Sequence, residues 1–312
     1  MRIFLAGATG VIGRLLVPAL VAGGHQVTAI TRRADRTGEL AAWGARPVVG
    51  DVFDAVRLAD LVVAARPEVV IQHLTSLPQD LNPRNTKQAY ARNDRVRGEG
   101  GANLLAAATS AGARRYLAQS VCFLYAMTGP AVVTEGAPLA LDAPEPYGRS
   151  VRIHAEMERR VIGSADLEGV VLRSGFWYGP GTTYAADGYT AREVRRRRFP
   201  LVGSGAGTFS FVHVDDVVAV TIAALEHGAP GAYNVCDDEP APMREWLPAY
   251  ARVLGAPAPW HVPGWLAGLF APGFIVAQAT RLRGADNDKA KRDLGWRPKY
   301  PSWRDGFKKA LG

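Results

Sequence analysis

Short runs of β-branched residues alternate with helical patterns through the first half of this 312-residue chain, and no other feature narrows the possible folds so far. Residues 3–6 read as a strand, 11–22 as a helix, 26–31 and 47–49 as strands, 55–65 as a helix and 69–74 as a strand. The stretch before Gly112 is helical, 115–121 is a strand, 147–162 a helix and 169–172 a strand. Strands held apart by helices of this length cannot pair as hairpins. They join through right-handed crossovers into a parallel sheet covered on both faces. The predicted fold class is α/β, a doubly wound parallel sheet.

The first crossover carries a glycine pattern, Gly7-Ala8-Thr9-Gly10-Val11-Ile12-Gly13, between the first strand and the first helix. Glycines at this spacing allow a tight turn, close approach of a pyrophosphate to the backbone, and close packing of the helix on the sheet. The helix N-terminus then offers unpaired N–H groups and a partial positive charge to the phosphates. A Rossmann-type dinucleotide site is expected, with Gly7, Thr9, Gly10, Val11, Ile12 and Gly13 at the cofactor. The second strand ends Thr31-Arg32-Arg33, with no acid to hold a ribose 2′-hydroxyl. Forked arginine donors suit a 2′-phosphate, so NADP is predicted rather than NAD. Asp51, after the third strand, is placed to accept from the adenine amino group; its plain structural role would be to cap the helix that follows.

Residues 1–173 are read as the dinucleotide-binding domain, completed by about 208–236, where 211–214 and 232–235 regain strand character around a helix at 215–226. Residues 174–207 and 237–312 form a smaller, discontinuous substrate-binding region. Within it the apolar stretch 260–279 is broken by Pro263, Gly264, Gly268, Pro272 and Gly273. A bilayer span needs roughly 18 uninterrupted apolar residues, so this stretch predicts a short helical pair over a pocket and no membrane partner. The 37 basic and 29 acidic residues leave a net charge of +8. Apart from Arg195-Arg196-Arg197-Arg198 the excess is scattered, with no stacking-aromatic motif beside a basic stripe, so nucleic acid is not an expected partner. Cys122 and Cys236 lie far apart without CxxC spacing, which indicates neither a disulfide framework nor a metal site and points to a reducing cytoplasm.

The glycine turn, Tyr147, and Phe211-Val212-His213-Val214-Asp215-Asp216 together resemble the extended short-chain dehydrogenase/reductase superfamily, in its NAD-dependent epimerase/dehydratase group. Gly100-Gly101-Ala102-Asn103-Leu104-Leu105, the strand ending at Ser120, Arg173 with Tyr178-Gly179-Pro180-Gly181, and Leu294-Gly295-Trp296-Arg297-Pro298 extend the likeness over nearly the whole chain. The resemblance implies a Tyr as general acid/base, a Lys four residues later that lowers its pKa, and a Ser or Thr that orients the substrate oxygen. Tyr147 matches the Tyr, but the position four later is Val151, which cannot stabilise a phenolate. Arg149, Arg152 and His154 are the nearby groups able to compensate. Counting back from Tyr125, the usual catalytic hydroxyl falls at Val121 and the one before it at Ser120. Ser120 either deputises or holds backbone at the strand end. Asn93 resembles the family's structural Asn in kind, while Arg97 holds its register.

The same resemblance assigns Val52, Leu74, Thr75, Ser174 and Phe176, with Tyr147, to the cofactor, and Tyr125, Trp177, Tyr178 and Arg198 to the substrate. It makes His213, Asp215 and Asp216 structural, with Asp215 or Asp216 capping the next helix, and implies a homodimer through helices packed beside Tyr147. Its sugar-nucleotide enzymes grip a diphosphate with an Arg where this chain has Phe209. With Trp177, Tyr178, Tyr184, Trp260, Trp265, Phe270 and Phe274 also in the pocket region, a small, partly apolar metabolite is the expected substrate.

Two readings stand side by side. One is an NADP-dependent oxidoreductase or epimerase acting on a carbonyl or secondary alcohol, with Tyr147 as proton donor and Ser120 polarising the oxygen. The other is an NADP-binding protein that has lost dehydrogenase chemistry and serves as a redox sensor, a regulatory protein or a non-redox catalyst; Val151 favours it.

Overall fold

The structure, a computed structural model, describes residues 1–78 and 86–311. Its central sheet holds β1 (Arg2–Ala6), β2 (Gln26–Thr31), β3 (Arg46–Val49), β4 (Val69–Gln72), β5 (Arg115–Val121), β6 (Glu168–Ser174) and β7 (Gly231–Val235). All pairings are parallel, in the order β7-β6-β5-β4-β1-β2-β3. The order reverses between β1 and β4, so the crevice beyond their carboxyl ends is where a doubly wound sheet takes a ligand.

Successive strand residues face opposite layers, and each layer closes its own core. Ile3 and Leu5 pack with Leu16, Val17 and Leu20 of α1 (Gly13–Ala22) and with Val217 and Val220 of a helix at Val214–Ala223. Phe4 and Ala6 face Leu58 and Val62 of α2 (Ala55–Ala65), Leu104 and Ala108 of α3 (Gly101–Ser110), and a layer that includes Val161 of α4 (Tyr147–Ile162). A helix at Thr86–Arg95 runs through one π-helical turn, Val96–Gly100, into α3.

A separate aromatic core gathers Tyr178, Tyr184, Phe209, Phe211, Trp246, Tyr250, Trp303 and Phe307 beyond the carboxyl edge. Phe211–His213 forms a strand as expected but stays outside the main sheet, pairing in parallel with Phe176–Tyr178. The reason is that both sides of β6 are already taken, by β5 and by β7. The helical pair read from the broken apolar stretch forms as α5 (Gly264–Phe270) and α6 (Gly273–Arg281). Among the described residues no helix is long and apolar enough to cross a membrane.

Candidate active site

Where β1 ends, Gly7 takes φ +99°, a conformation that glycine reaches without a side-chain penalty. Its carbonyl accepts from the Gly10 amide at 3.1 Å, which closes the turn. A Cβ at Gly13 would lie 2.3 Å from the carbonyl oxygens of Gly7 and Ala8, so α1 can sit this close only because residue 13 has no side chain. α1 begins after Ile12 with no side-chain cap and no acid in its first turn. The amides of Arg14, Leu15 and Leu16 bond back to the carbonyls of Gly10 and Ile12, and the positive end of the dipole is left for an anion. Gly7, Thr9, Gly10, Arg32, Arg33, Val52, Leu74 and Thr75 come together around a cleft of about 210 Å³ at this turn. A dinucleotide pyrophosphate fits this cradle of backbone donors.

Further along the crevice, the loops are held by side chains from the next layer. Asn93, buried, accepts from the Thr75 hydroxyl and from the Ser76 amide, both at 3.0 Å, and fixes the loop after β4. Asn103 donates to the Val52 carbonyl at 2.9 Å. Asp51 accepts from the Phe53 amide at 3.0 Å, and α2 is capped instead by Asp54, which accepts from the Arg57 amide at 3.0 Å. The two arginines after β2 differ. Arg33 is forked onto Asp35 at 3.1 and 2.5 Å, whereas Arg32 is exposed and makes no hydrogen bond or ion pair among the described residues.

Tyr147, Val151, His154 and Glu158 follow one another at i, i+4, i+7 and i+11 on the buried face of α4. The Tyr147 hydroxyl donates to the Phe123 carbonyl at 2.7 Å. Burial, with Tyr90 adding to it, holds the phenol above its ordinary pKa, so it is protonated at neutral pH. Val151 is wholly buried beside it. Arg152 is committed elsewhere, donating to the Leu141 carbonyl at 2.8 Å and pairing with Glu145, and Arg149 is exposed. His154 places Nδ1 2.8 Å from the Ser150 carbonyl, and burial followed by the charge of Arg97 lowers its pKa to about 3. Among the described residues, neither Arg152 nor His154 takes the place of the missing Lys at Tyr147. Arg97, in the π-turn, points its two terminal nitrogens at Gln119, donating to its carbonyl at 2.6 Å and to its side chain.

Ser120 corrects the expectation of a catalytic hydroxyl. It is fully buried and donates to Glu158 at 2.6 Å. Its hydroxyl is thus closed onto a buried carboxylate, whereas the Tyr147 hydroxyl goes to the Phe123 carbonyl, so the two share no partner. Glu158 in turn holds Arg173 through contacts of 2.6 and 3.1 Å, and Arg173 donates to the Tyr125 hydroxyl at 2.9 Å. Tyr125 donates onward to Asn234 at 2.7 Å. Tyr125, in the turn after β5, is therefore a strut that ties Arg173 of β6 to Asn234 of β7, not a pocket wall. Its closed network was missed in the sequence, although the helical spacing from Tyr147 put the charged Glu158 on a buried face.

Tyr178 is a second correction. It is wholly buried, edge-on to His213 and Phe307, with its oxygen so close to Gly306 that a Cβ there would lie 1.9 Å away. Trp177 is half-buried against the first core, and Arg198 is exposed. His213, rather than Asp215 or Asp216, caps the Val214–Ala223 helix by accepting from the Asp215 amide at 3.1 Å. Asp216 instead accepts from the amides of Lys299 and Tyr300 at 2.6 and 3.1 Å. Ser174 is buried, with its hydroxyl unpartnered among the described residues. Phe176 stacks on Phe123 at 4.5 Å and packs against Phe209 at 4.9 Å, so the diphosphate-gripping position of the sugar-nucleotide enzymes is filled by an aromatic row.

Comparison with known proteins agrees with this fold. The family model described as the NAD dependent epimerase/dehydratase family matches residues 3–236. A 3-diazoavenalumate denitrifying reductase from Streptomyces sp is 50% identical over 308 residues, spanning 98% of this chain and 99% of the relative. A 2-alkyl-3-oxoalkanoate reductase from Stenotrophomonas maltophilia is 27% identical over 269 residues, 82% of this chain and 77% of its own. Among solved structures, a UDP-glucose 4-epimerase from Thermotoga maritima shares the fold with a TM-score of 0.78 at 22% identity, covering 100% of this chain and 97% of that one. The chain thus belongs to the NAD-dependent epimerase/dehydratase family, and is an oxidoreductase or epimerase that works with a nicotinamide dinucleotide.

Proposed function

We propose that this enzyme is an NADPH-dependent reductase that delivers hydride to a small, largely aromatic substrate without needing a proton from the protein. The observation that carries the reading is the state of Tyr147: its hydroxyl is tied to the Phe123 carbonyl, with Val151 where a cation is expected. Hydride added to a carbonyl leaves an alkoxide, which must be protonated, and that is the work of a Tyr–Lys pair. An aryl diazonium carbon makes no such demand. It gains hydride while the electron pair of its C–N bond leaves on dinitrogen, so that aryl diazonium plus NADPH gives arene, dinitrogen and NADP⁺. The 50% identity to a diazo-acid denitrifying reductase favours this substrate class. Val151 then ceases to favour a sensor without chemistry, because a reductase that moves no proton has no use for the Lys.

A reduced nicotinamide bound in the crevice supplies the hydride. The backbone of Gly7 to Gly13 would hold its pyrophosphate, and the exposed guanidinium of Arg32 its 2′-phosphate. The row Phe123, Phe176 and Phe209 suits an arene better than a sugar diphosphate. The enzyme would act as a homodimer in a reducing cytoplasm, where Cys122 and Cys236 stay free. The surface suited to pairing is the groove of about 520 Å³ between α3 and α4, bordered by Ala102, Arg149, Ile153, Glu156 and Met157. Light scattering should give twice 33.4 kDa.

The test is to supply NADPH carrying deuterium at both C4 positions with diazotised 3-aminocinnamate. One deuterium on the ring carbon that bore nitrogen, with one dinitrogen released per cofactor oxidised, is the expected result. Dinitrogen loss without ring deuterium defeats the reading. Carbonyl reduction with Tyr147 as donor is the second reading, favoured by the 2-alkyl-3-oxoalkanoate reductase. It requires the Tyr147 hydroxyl to leave Phe123, and turnover of a β-keto acid faster than of the diazo acid would establish it.

A further inference from the structure

We infer that α5 and α6, with the arginine run Arg195 to Arg198 beside them, form a surface that docks on an anionic lipid bilayer, lying at its face without crossing it. The inference is independent of the substrate proposed above. α5 turns its large side chains outward: Trp265 is 75%, Leu269 70% and Phe270 83% exposed, and Ile275 of α6 follows at 41%. Residues 262–280, which span the pair, carry no charged side chain. The stretch is too short and too broken to cross a bilayer, but a helix pair that rests in the interface needs no span.

The ridge is rigid. Ala267 and Ala279 are buried, and Leu266 and Val276 pack against the aromatic core that holds Trp246 and Phe307. The Ala267 amide donates to the Pro263 carbonyl at 3.0 Å and the Ala271 amide to the Ala267 carbonyl at 2.9 Å. The exposed side chains are thus presented by a helix already fixed to the fold, and docking orders little that was loose before.

Charge selects the partner. Leu201–Val202 pairs in parallel with His261–Val262, and the Trp260 indole donates to the Arg197 carbonyl at 2.7 Å, which brings the arginine run beside the start of α5. Its four arginines are exposed, as is Arg281 at the end of α6. Neither segment supplies an opposing carboxylate, since residues 194–214 and 255–285 contain no Asp or Glu; the adjoining Glu193 pairs with Arg196 at 3.7 Å. Large apolar side chains bordered by arginines suit a lipid interface, with the rings among acyl chains and the cations at phosphates. A protein partner would want about one hydrogen bond per 100–200 Å² of contact, and in α5 only the Trp265 indole can give one from a side chain.

Vesicle sedimentation with the whole protein tests the surface. Wild type is mixed with vesicles of phosphatidylcholine, alone or with phosphatidylglycerol at seven to three. Beside it are Trp265→Ser with Phe270→Ser, Arg196→Gln with Arg198→Gln, and, as the control, Arg46→Gln with Arg57→Gln, which removes two exposed charges from β3 and α2. Expected are at least tenfold stronger binding of wild type to the mixed vesicles than to phosphatidylcholine alone, and a tenfold or greater loss in both patch variants with Tm and the Kd for NADPH unchanged. The control should lose less than threefold. A wild type without the anionic preference overturns the inference, as does either patch variant that binds within threefold of wild type. A control that loses as much as the arginine variant overturns it too, because the attraction then belongs to the net charge of +8 and not to this surface. If Trp265→Ser with Phe270→Ser changes the molar mass in light scattering while vesicle binding is kept, the ridge is a protein interface and the lipid reading falls.

Discussion

The hydroxyl of Tyr147 donates to the backbone carbonyl of Phe123 at 2.7 Å, across 24 residues of sequence, and so stands already satisfied in the crevice where a proton donor is expected. Removing that hydroxyl tests what it does. Tyr147→Phe keeps the ring and loses the proton; turnover of the diazo acid is expected to fall less than about tenfold, against the 10²–10⁴-fold typical of a lost general acid. Steady-state kcat in the two proteins decides it, and a loss beyond a hundredfold restores Tyr147 as the proton donor.

Arg32 and Arg33 separate by partner. Because Arg33 is forked onto Asp35 and Arg32 is free among the described residues, Arg32→Ala should raise the Kd for NADPH by about tenfold or more and leave that for NADH within twofold. Arg33→Ala should do much less. Fluorescence titration of both cofactors reads the difference, and equal affinities for NADPH and NADH in wild type and in the double variant would refute NADP preference.

Glu158 anchors a buried ion pair that also takes the Ser120 hydroxyl. Its removal leaves the Arg173 guanidinium buried and uncompensated, which costs about 3–5 kcal/mol. Glu158→Ala should lower the unfolding free energy by that amount in urea titrations, and Glu158→Ala with Arg173→Met should recover part of it. A loss under about 1 kcal/mol would show that the pair is dispensable.

Two buried histidines should make the fold acid-sensitive. Burial, then the charge of Arg97, lowers His73 to about 4 and His154 to about 3, from an ordinary 6.5. The folded state binds these protons less readily than the unfolded chain. Their contribution is therefore fully present above pH 6.5 and is lost as the pH falls, down to about 4 for His73 and about 3 for His154. Each histidine costs about 1.4 kcal/mol per pH unit across its window. Urea midpoints at pH 7 and pH 5 should show the loss, and His154→Gln should reduce its slope; an unchanged slope would mean that His154 does not titrate with unfolding.

Much of the site's outline was legible from local pattern. The spacing of Gly7, Gly10 and Gly13 located the tight strand-to-helix turn, because such a turn depends on residues adjacent in the chain. The helix beginning at Tyr147 was readable to its ends for the same reason. What could not be read was the partner of each polar group. Asp215 or Asp216 was expected to cap a helix that His213 caps, and Ser120 was expected near Tyr147 but meets Glu158.

The sequence by itself determined the layers, the glycine turn and the residues that face each core, since period and backbone freedom are set within a few neighbouring residues. Only the tertiary structure decided which hydroxyls and cations remain free to act. Ser120 and Glu158 lie 38 residues apart in sequence, and their bond exists because parallel crossovers stack α4 on β5 and β6. A buried polar group must take the partner that packing brings to it, and here packing closes the hydroxyls of Ser120 and Tyr147 into the frame.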